Sequence, residues 1–259
     1  MSRKFAVAGA VVFMLAVVAQ QPGLAGEAPK VKDVSSPTTM LLLGNSFFYY
    51  NNSLHNHFRK LTKSLYPDKA KTFFYKSMTI SGSYLANLEM SATGMITSYS
   101  HKKKKGPWDF VVLQGQSREP INPKKSAGFE KAARSLDATI RKAGSRTAFF
   151  MTWAYKEKPE MAETLADAYT HVGNELGALV IPVGLAFDRA RKSDPNMNLY
   201  AADKKHPSVL GTYLAANVMF ATFYGKSPVG APYTAGLSPA EAKFAQTMAW
   251  ETVNSYFGR

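Results

Sequence analysis

The sequence predicts an α/β protein in which one parallel sheet of about five strands lies between two layers of helices. Three observations predict this class: five short apolar runs, longer segments of helical length and spacing, and the alternation of these two types along the chain. The apolar runs are continuous rather than alternating, which is typical of strands covered on both faces. Right-handed crossovers between such strands give a three-layer α/β/α sandwich.

The predicted elements fill one domain over residues 39–259. Strands are predicted at residues 40–43, 72–75, 110–113, 148–151 and 179–183. Helices are predicted at residues 53–65, 84–99, 125–143, 159–176 and 207–224, and a Ser-Pro-Ala-Glu cap at 238–241 begins a last helix that runs to about residue 256.

Composition excludes several classes of protein. With 46% hydrophobic and only 19% charged residues in a chain of 259, the sequence is too apolar for a disordered protein. The absence of cysteine excludes disulfides, thiolate metal sites and a cysteine nucleophile, so any nucleophile is an oxygen or a nitrogen. The net charge of +14 suggests an acidic partner, although no nucleic-acid-binding motif is present.

The amino-terminal residues have the pattern of an export signal. A basic stretch at residues 2–4 precedes fifteen apolar residues, and small residues follow at Gly23-Leu24-Ala25. We therefore expect residues 1–25 to be removed, and the protein to be secreted or periplasmic without stable membrane insertion. The alternative, an uncleaved anchor, needs nearer twenty apolar residues. Residues 26–38 are polar and without periodicity, which predicts a flexible linker.

Ser46 is the first candidate for chemistry. In a doubly wound sheet the functional groups lie in loops at the carboxyl ends of strands, and Gly44-Asn45-Ser46 follows the first predicted strand. A serine on such a tight turn exposes its hydroxyl near backbone N–H groups, but it is a weak nucleophile until a base takes its proton. The alternative is that Ser46 or Asn45 only caps a helix.

The pair Asp203-x-x-His206 supplies a candidate base. His206 can take the serine proton and return it to the leaving group, while a carboxylate fixes its tautomer. Among the five histidines, only His206 has an acidic residue at this spacing just before a predicted helix. A surface histidine beside a capping aspartate is the alternative.

Acyl transfer also needs donors aimed at the developing oxyanion. Gly82, after the second predicted strand, offers an unobstructed backbone N–H, and Gln114 offers a side-chain amide at the end of the third. The alternatives are a turn glycine and a satisfied polar residue at the rim of the sheet.

Together these stretches resemble the SGNH, or GDSL-type, hydrolase superfamily over about residues 39–225. The most specific stretch is DKKHPSVLGTYLAA at residues 203–216. The resemblance implies a flavodoxin-like fold and a triad of Ser46, His206 and Asp203. It also implies an oxyanion hole made by the N–H groups of Ser46 and Gly82 and, in place of the family's asparagine, the amide of Gln114.

The sequence departs from the family pattern at two positions. Asn45 replaces the aspartate of the usual GDS, and glutamine replaces the third-block asparagine. Some carbohydrate-esterase branches also have glutamine there, in a Gln-Gly-Glu setting similar to the Gln-Gly-Gln of residues 114–116. Gln116 is therefore the second choice for the amide donor.

The predicted substrate is a carbohydrate ester, small or polymeric. Aromatic faces near the predicted loops suit sugar rings, and Asn45, Trp153 and Tyr155 are the predicted substrate contacts. With the export signal and the Gln-Gly-Gln motif, they favour hydrolysis of O-acyl and especially O-acetyl esters, without a cofactor. Two alternatives remain: a lipid esterase or thioesterase with the same triad, and a non-catalytic binder of acidic glycans. The oligomeric state stays open.

Two further clusters have ordinary interpretations. Lys102 to Lys105 either form a solvated loop or steer an anionic polymer towards the site. His55 and His57 are one residue apart without nearby carboxylates, so we expect them to face solvent rather than to bind metal.

Overall fold

The computed structural model describes residues 26–32, 34–97, 100–101 and 104–259. The predicted export signal at residues 1–25 lies outside these ranges, as do Lys102 and Lys103 of the lysine run. Within the described ranges, no helix is both long and apolar enough to cross a membrane.

Strands and helices alternate along the chain. In order they are β1 (Thr39–Gly44), α1 (Ser46–Tyr49), α2 (Leu54–Leu65), β2 (Phe74–Thr79), α3 (Leu85–Thr97), β3 (Ser100–His101), β4 (Lys104–Lys105), β5 (Phe110–Leu113), α4 (Ser126–Lys142), β6 (Arg146–Phe150), α5 (Met161–Leu176), β7 (Leu179–Ile181), α6 (Val183–Ser193), α7 (Val209–Tyr224) and α8 (Pro239–Phe257).

Five strands form one parallel sheet in the order β2-β1-β5-β6-β7, as the sequence predicts. The chain leaves β1 outward to β2 and then crosses back to β5 on the other side of β1. The helices that follow β1 and β5 therefore lie on opposite faces of the sheet, and the carboxyl edge at such a reversal is where open α/β sheets bind their ligands. Strands β3 and β4 form only a two-residue antiparallel hairpin.

The sheet separates two apolar layers, which confirms the three-layer sandwich. All six residues of β1 are buried. Met40 and Leu42 pack with α2, α6, α7 and α8 on one face, whereas Leu41 and Leu43 pack with α3, α4 and α5 on the other. Successive side chains of a strand point to opposite faces of the sheet. An unbroken apolar run therefore correctly indicated a sheet covered by helices on both faces.

The structure differs most from the predicted elements at the second strand and at α6 (Val183–Ser193), a helix that the sequence did not predict. The second strand begins at Phe74 rather than at residue 72, and it continues through the polar residues up to Thr79. Val183, predicted to end the last strand, instead begins α6, which packs on the core. A short apolar run cannot by itself distinguish a strand from the buried first turn of a helix.

Residues 26–38, predicted as a flexible linker, lie along the domain in this structure. The backbone amides of Ser35 and Ser36 both donate to the carbonyl of Phe223, at 3.1 and 3.0 Å. The amide of Lys30 donates to Asn174 Oδ1 at 2.8 Å. The described residues of this segment, 26–32 and 34–38, have no regular secondary structure, but these hydrogen bonds hold them against the helices.

Candidate active site

Ser46, His206 and Asp203 lie together at the carboxyl edge of the sheet. His206 Nε2 is 2.8 Å from Ser46 Oγ, and these two residues are 160 positions apart in the chain. The other ring nitrogen, Nδ1, is hydrogen-bonded to Asp203 Oδ2. The arrangement is that of a nucleophile, a base and an orienting carboxylate.

A tight turn between β1 and α1 presents Ser46. Asn45 Oδ1 accepts a hydrogen bond from the amide of Phe47 at 3.2 Å and so caps α1. Gly44 has to be small, because a Cβ there would lie 2.4 Å from Gln114 Oε1. Ser46 is the first residue of α1, and its own N–H has no acceptor within the described part of the chain.

The loop that carries Asp203 is built around its carboxylate. Asp203 Oδ1 accepts from the amides of Lys205 and His206, at 3.0 and 2.9 Å. Burial raises the pKa of Asp203, but hydrogen bonds from the His206 ring and from the two amides outweigh this effect and lower the pKa to about 2. The carboxylate is therefore ionised near neutral pH and holds Nδ1 of His206 as the donor.

Aromatic rings fix the histidine from two sides. The ring of Tyr50 is stacked on that of His206, with centroids 4.1 Å apart and planes within 3°. Phe47 meets the same imidazole edge-on at 5.6 Å. Stacking of this kind restricts rotation of the imidazole, so Nε2 stays directed at Ser46.

Trp153, predicted to contact substrate, is instead fully buried. Its indole is stacked between Phe47 and Phe187, with both centroid distances 4.3 Å, and its Nε1–H donates to the carbonyl of Lys205 at 2.9 Å. It therefore has no surface for a ligand. A large apolar ring beside a buried sheet packs into the core, and Trp153 supports the loop that carries His206.

Asn45 is also buried, with 2% of its surface exposed, and the prediction that it contacts substrate is wrong for the same reason. Its Nδ2 donates to the carbonyl of Ser83 at 3.1 Å, so it joins the loops that follow β1 and β2. Tyr155 is the one predicted substrate contact that keeps an accessible surface. It is half-buried, and its hydroxyl lies 2.7 Å from Ser117 Oγ.

Gly82 has the backbone geometry that its predicted role requires. It is exposed and has φ of +66°, a conformation that side chains with a Cβ rarely adopt. Its N–H is not hydrogen-bonded to any described residue. The N–H groups of Ser46 and Gly82 are thus two free donors at the same edge of the sheet.

Gln114, predicted as the third donor, cannot act as one in this structure. It is completely buried, and its Oε1 accepts from the amide of Asn45 at 3.0 Å. Its Nε2 donates to Asn45 Oδ1 at 3.1 Å and to the carbonyl of Gly115, which uses both amide hydrogens. A buried polar group needs such partners, and Gln114 obtains them by locking the loops after β1 and β5 together.

Gln116, the second choice, fits the role better. It is half-buried, and its Oε1 accepts from the amide of Arg118 at 3.1 Å. This bond fixes the orientation of the side chain. Its Nε2 donates to no described residue, so an amide donor remains free at the carboxyl end of β5.

Glu119 is a site residue that sequence reasoning missed. It is 2% exposed, and its Oε2 accepts from the amides of Leu85 and Gln116, at 3.0 and 2.8 Å. Burial raises the pKa of this carboxyl, against the lowering effect of the two backbone hydrogen bonds. Glu119 ties the start of α3, which follows Gly82, to the loop that carries Gln116. No sequence signal distinguishes it from an ordinary loop glutamate.

The expectation that His55 and His57 face solvent is wrong for His57, and His55 is half-buried. His57 is 6% exposed, and burial lowers its pKa. Its Nε2 lies 2.6 Å from the carbonyl of Asn51 and its Nδ1 lies 2.9 Å from the Tyr233 hydroxyl. Burial lowers the pKa of His55 to about 4. Neither histidine belongs to a metal-ligating cluster of three or more side chains in the described ranges.

His57 supports the loop of His206 through Asn51. The Asn51 side chain donates to the carbonyl of Pro207 and to Thr212 Oγ1, both at 2.8 Å. Asn51 has φ of +52°, which asparagine tolerates better than most residues. The helix α2 thus holds the residue that follows His206 in the chain.

No protein-family model matches the chain, and no curated protein matches it. Solved structures do resemble it. A DUF4886 family protein from Bacteroides uniformis has a TM-score of 0.61 at 21% identity, covering 85% of this chain and 94% of that one. A protein assigned to the SGNH hydrolases, from Slackia heliotrinireducens, has a TM-score of 0.56 at 23% identity, covering 73% of this chain and 99% of that one.

The acetyl xylan esterase AlAXEase has a TM-score of 0.55 at 12% identity, covering 70% of this chain and 98% of that one. At these identities the likeness concerns the fold. The five-stranded parallel sheet and its two helical layers give the chain the α/β fold of the SGNH hydrolases.

Proposed function

We propose that the protein is a serine esterase that hydrolyses O-acyl esters with Ser46, His206 and Asp203 as its triad. The observation that carries the proposal is the distance of 2.8 Å between Ser46 Oγ and His206 Nε2, together with the carboxylate hydrogen-bonded to the other ring nitrogen. A structural serine at the start of a helix needs neither an imidazole nor an ionised aspartate behind it.

The geometry supports a two-step acyl transfer. Ser46 Oγ attacks the ester carbonyl while its proton passes to His206 Nε2, and the histidine then gives that proton to the departing alcohol. Water next attacks the acyl-serine and loses a proton to Nε2, which returns that proton to Ser46 Oγ as the acid leaves. Asp203 holds the imidazole in the required tautomer and stabilises the imidazolium formed in each step.

The proposed oxyanion hole consists of three N–H donors: the backbone groups of Ser46 and Gly82 and Nε2 of Gln116. Support comes from their lack of other partners among the described residues and from their positions on the loops after β1, β2 and β5. Donors fixed before the reaction stabilise the tetrahedral intermediate without reorganising.

For the substrate we propose O-acetyl groups on carbohydrate, and for the location the periplasm or the outside of the cell. The half-buried ring of Tyr155 beside the site and the similar fold of an acetyl xylan esterase support the first proposal. The basic, apolar and small-residue order of residues 1–25 supports the second.

The test compares the wild type with Ser46→Ala on short p-nitrophenyl esters and on acetylated glycans, with Ser64→Ala on α2 as the matched control. We expect Ser46→Ala to lose about a thousandfold or more of kcat while Ser64→Ala keeps it. A fluorophosphonate should label the wild type on Ser46. Equal rates for wild type and Ser46→Ala, or retention on a glycan column without turnover of any ester, would contradict the esterase proposal.

A further inference from the structure

The loops around the candidate site differ in charge from one side to the other. Residues 45–53 and 80–84, which follow β1 and β2, contain no Asp, Glu, Lys or Arg. The loops after β5 and β6 and the loop of His206 carry all the charged groups of this edge. A substrate at this edge therefore meets one side whose own residues are uncharged and aromatic, with Lys125 of the loop after β5 over the ring of Tyr84, and one side whose own residues are charged.

Most carboxylates on the charged side already have partners. Glu119 is buried and bonded to backbone amides, Asp203 belongs to the triad, and Glu157 forms an ion pair with Lys204. Within the described ranges, Lys205 and Arg118 form no ion pair. The charge left over beside the site is therefore positive.

Lys205 lies over the ring of Tyr155, and Arg118 follows the serine that the hydroxyl of this ring contacts. Lys205 precedes His206, and its Nζ lies 5.4 Å from the centroid of Tyr155. The hydroxyl of Tyr155 bonds to Ser117 Oγ at 2.7 Å, and Ser117 lies between Gln116 and Arg118 in the chain. The ring thus connects the loop of the catalytic histidine to the loop of the proposed amide donor.

From this arrangement we infer that Tyr155, Lys205 and Arg118 form a subsite for an anionic group on the alcohol portion of the ester. The inference rests on the proposed esterase function and makes the preferred substrates O-acyl esters of acidic sugars. An aromatic face can pack against a sugar ring, while the two cations attract its carboxylate or sulfate.

The subsite is tested by charge discrimination between matched esters. Phenyl acetate is the neutral probe, and 4-acetoxybenzoate and 4-acetoxybenzenesulfonate are the anionic probes, which separate a carboxylate from a sulfonate preference. We expect the double variant Lys205→Gln/Arg118→Gln to lower the ratio of anionic to neutral kcat/KM by about tenfold at low salt. We expect the wild-type ratio to fall as salt is added.

Lys63→Gln/Lys142→Gln is the matched control. Both lysines are exposed in the last turns of α2 and α4, which lie at the opposite edge of the sheet because these helices run antiparallel to the strands. This variant has the same change of net charge and should leave the ratio unchanged. Equal ratios for the two double variants would overturn the subsite.

Binding to Ser46→Ala separates failure of the subsite from failure of the esterase proposal. Isothermal titration with 4-acetoxybenzoate and with phenyl acetate needs no turnover. Weaker binding of the anionic probe after the two substitutions supports the subsite even where no ester is hydrolysed. Unchanged affinity, or no preference for the anionic probe in the parent variant, rejects the subsite whatever the activity of the wild type.

Discussion

The candidate site has two halves that the protein holds in different ways. In the half that contains His206, aromatic rings and an exposed loop fix the imidazole, and the Asp203 side chain is 43% accessible. In the half that contains the proposed oxyanion donors, buried polar side chains hold the loops in place. Gln114 is completely buried and Glu119 is nearly so. The two halves therefore differ in whether the polar groups that support them are exposed to water or buried.

This difference has an energetic consequence. Removing a partner from the exposed half leaves groups that water can solvate, so activity falls more than stability. Removing a partner from the buried half leaves buried amides or carbonyls without a hydrogen-bond partner, so stability falls as well. Measuring both kcat and the free energy of unfolding on the same variants therefore tests whether the exposed and the buried half differ in this way.

Among the residues other than the proposed nucleophile, the largest effect is expected for Asp203→Asn. The imidazole loses its orienting carboxylate, and kcat should fall by about ten-thousandfold. Because the pKa of Asp203 is lowered to about 2, the loss should be similar from about pH 5 to pH 9. The stability contributed by the ionised form is complete above the unfolded pKa of about 3.9 and is lost as the pH falls towards 2.

Asp194→Asn provides the control for that variant. Asp194 lies in the segment that leads to the same loop and accepts a hydrogen bond from the amide of Asn196 at 2.9 Å. Its replacement should leave kcat within about twofold of the wild type, as for a surface substitution. A similar loss of kcat in both variants would show that Asp203 only shapes the loop.

The next effect distinguishes the two glutamines. Gln116→Ala and Gln116→Glu remove the free N–H donors, so we expect kcat to fall about one-hundredfold or more with little change in melting temperature. Gln114→Ala leaves the buried amide of Asn45 without its acceptor, which should lower the free energy of unfolding by about 1–3 kcal/mol. A loss of kcat without a loss of stability in Gln114→Ala would restore Gln114 as the donor.

Much of the fold could be predicted because its signals are local. The unbroken apolar run in β1 indicates a strand covered on both faces, and Ser238 with Glu241 forms the capping box that their spacing predicts. Val183 was misassigned because a strand and a helix can both begin with a buried apolar residue. Only packing on the core, a long-range contact, decides between them.

The Asp203–His206 pair was predictable for a similar reason. Asp203 and His206 are three residues apart, so their pairing depends on one loop. The half with the proposed oxyanion donors was not predictable in this way, since Gln114 is hydrogen-bonded to Asn45, 69 residues away in the chain. A polar residue at the end of a strand has the same sequence signature whether it points at a substrate or is satisfied inside the protein.

A smaller effect is expected for Glu119→Gln. The variant keeps a carbonyl oxygen for the two amides but places an NH2 group where Oε1 lies 3.3 Å from the Leu85 amide, so the loops shift and kcat falls about tenfold. Burial raises the pKa of Glu119, so the wild type should lose stability as the pH rises above the ordinary value of 4.5 through the raised one. The variant carries no charge at this position and should lose less stability over the same rise in pH.

Denaturant unfolding at several pH values measures this difference, and Asp137→Asn is the matched control. Asp137 is also buried, at 6% exposure, but it pairs with Arg141 on α4 and touches no loop of the site. We expect Asp137→Asn to change the free energy of unfolding without changing kcat. If Glu119→Gln keeps full kcat, the carboxylate does not position the donors and only supports the fold.

The smallest effect is expected for Tyr50→Leu. The stacked ring restricts His206 but makes no bond that the reaction breaks, so its loss should cost about 0.5–1.5 kcal/mol of transition-state stabilisation, or about two- to tenfold in kcat. Tyr50→Phe keeps the stacked face and should match the wild type. If both variants lose activity equally, the hydroxyl rather than the ring matters, and aromatic packing does not hold the exposed half of the site.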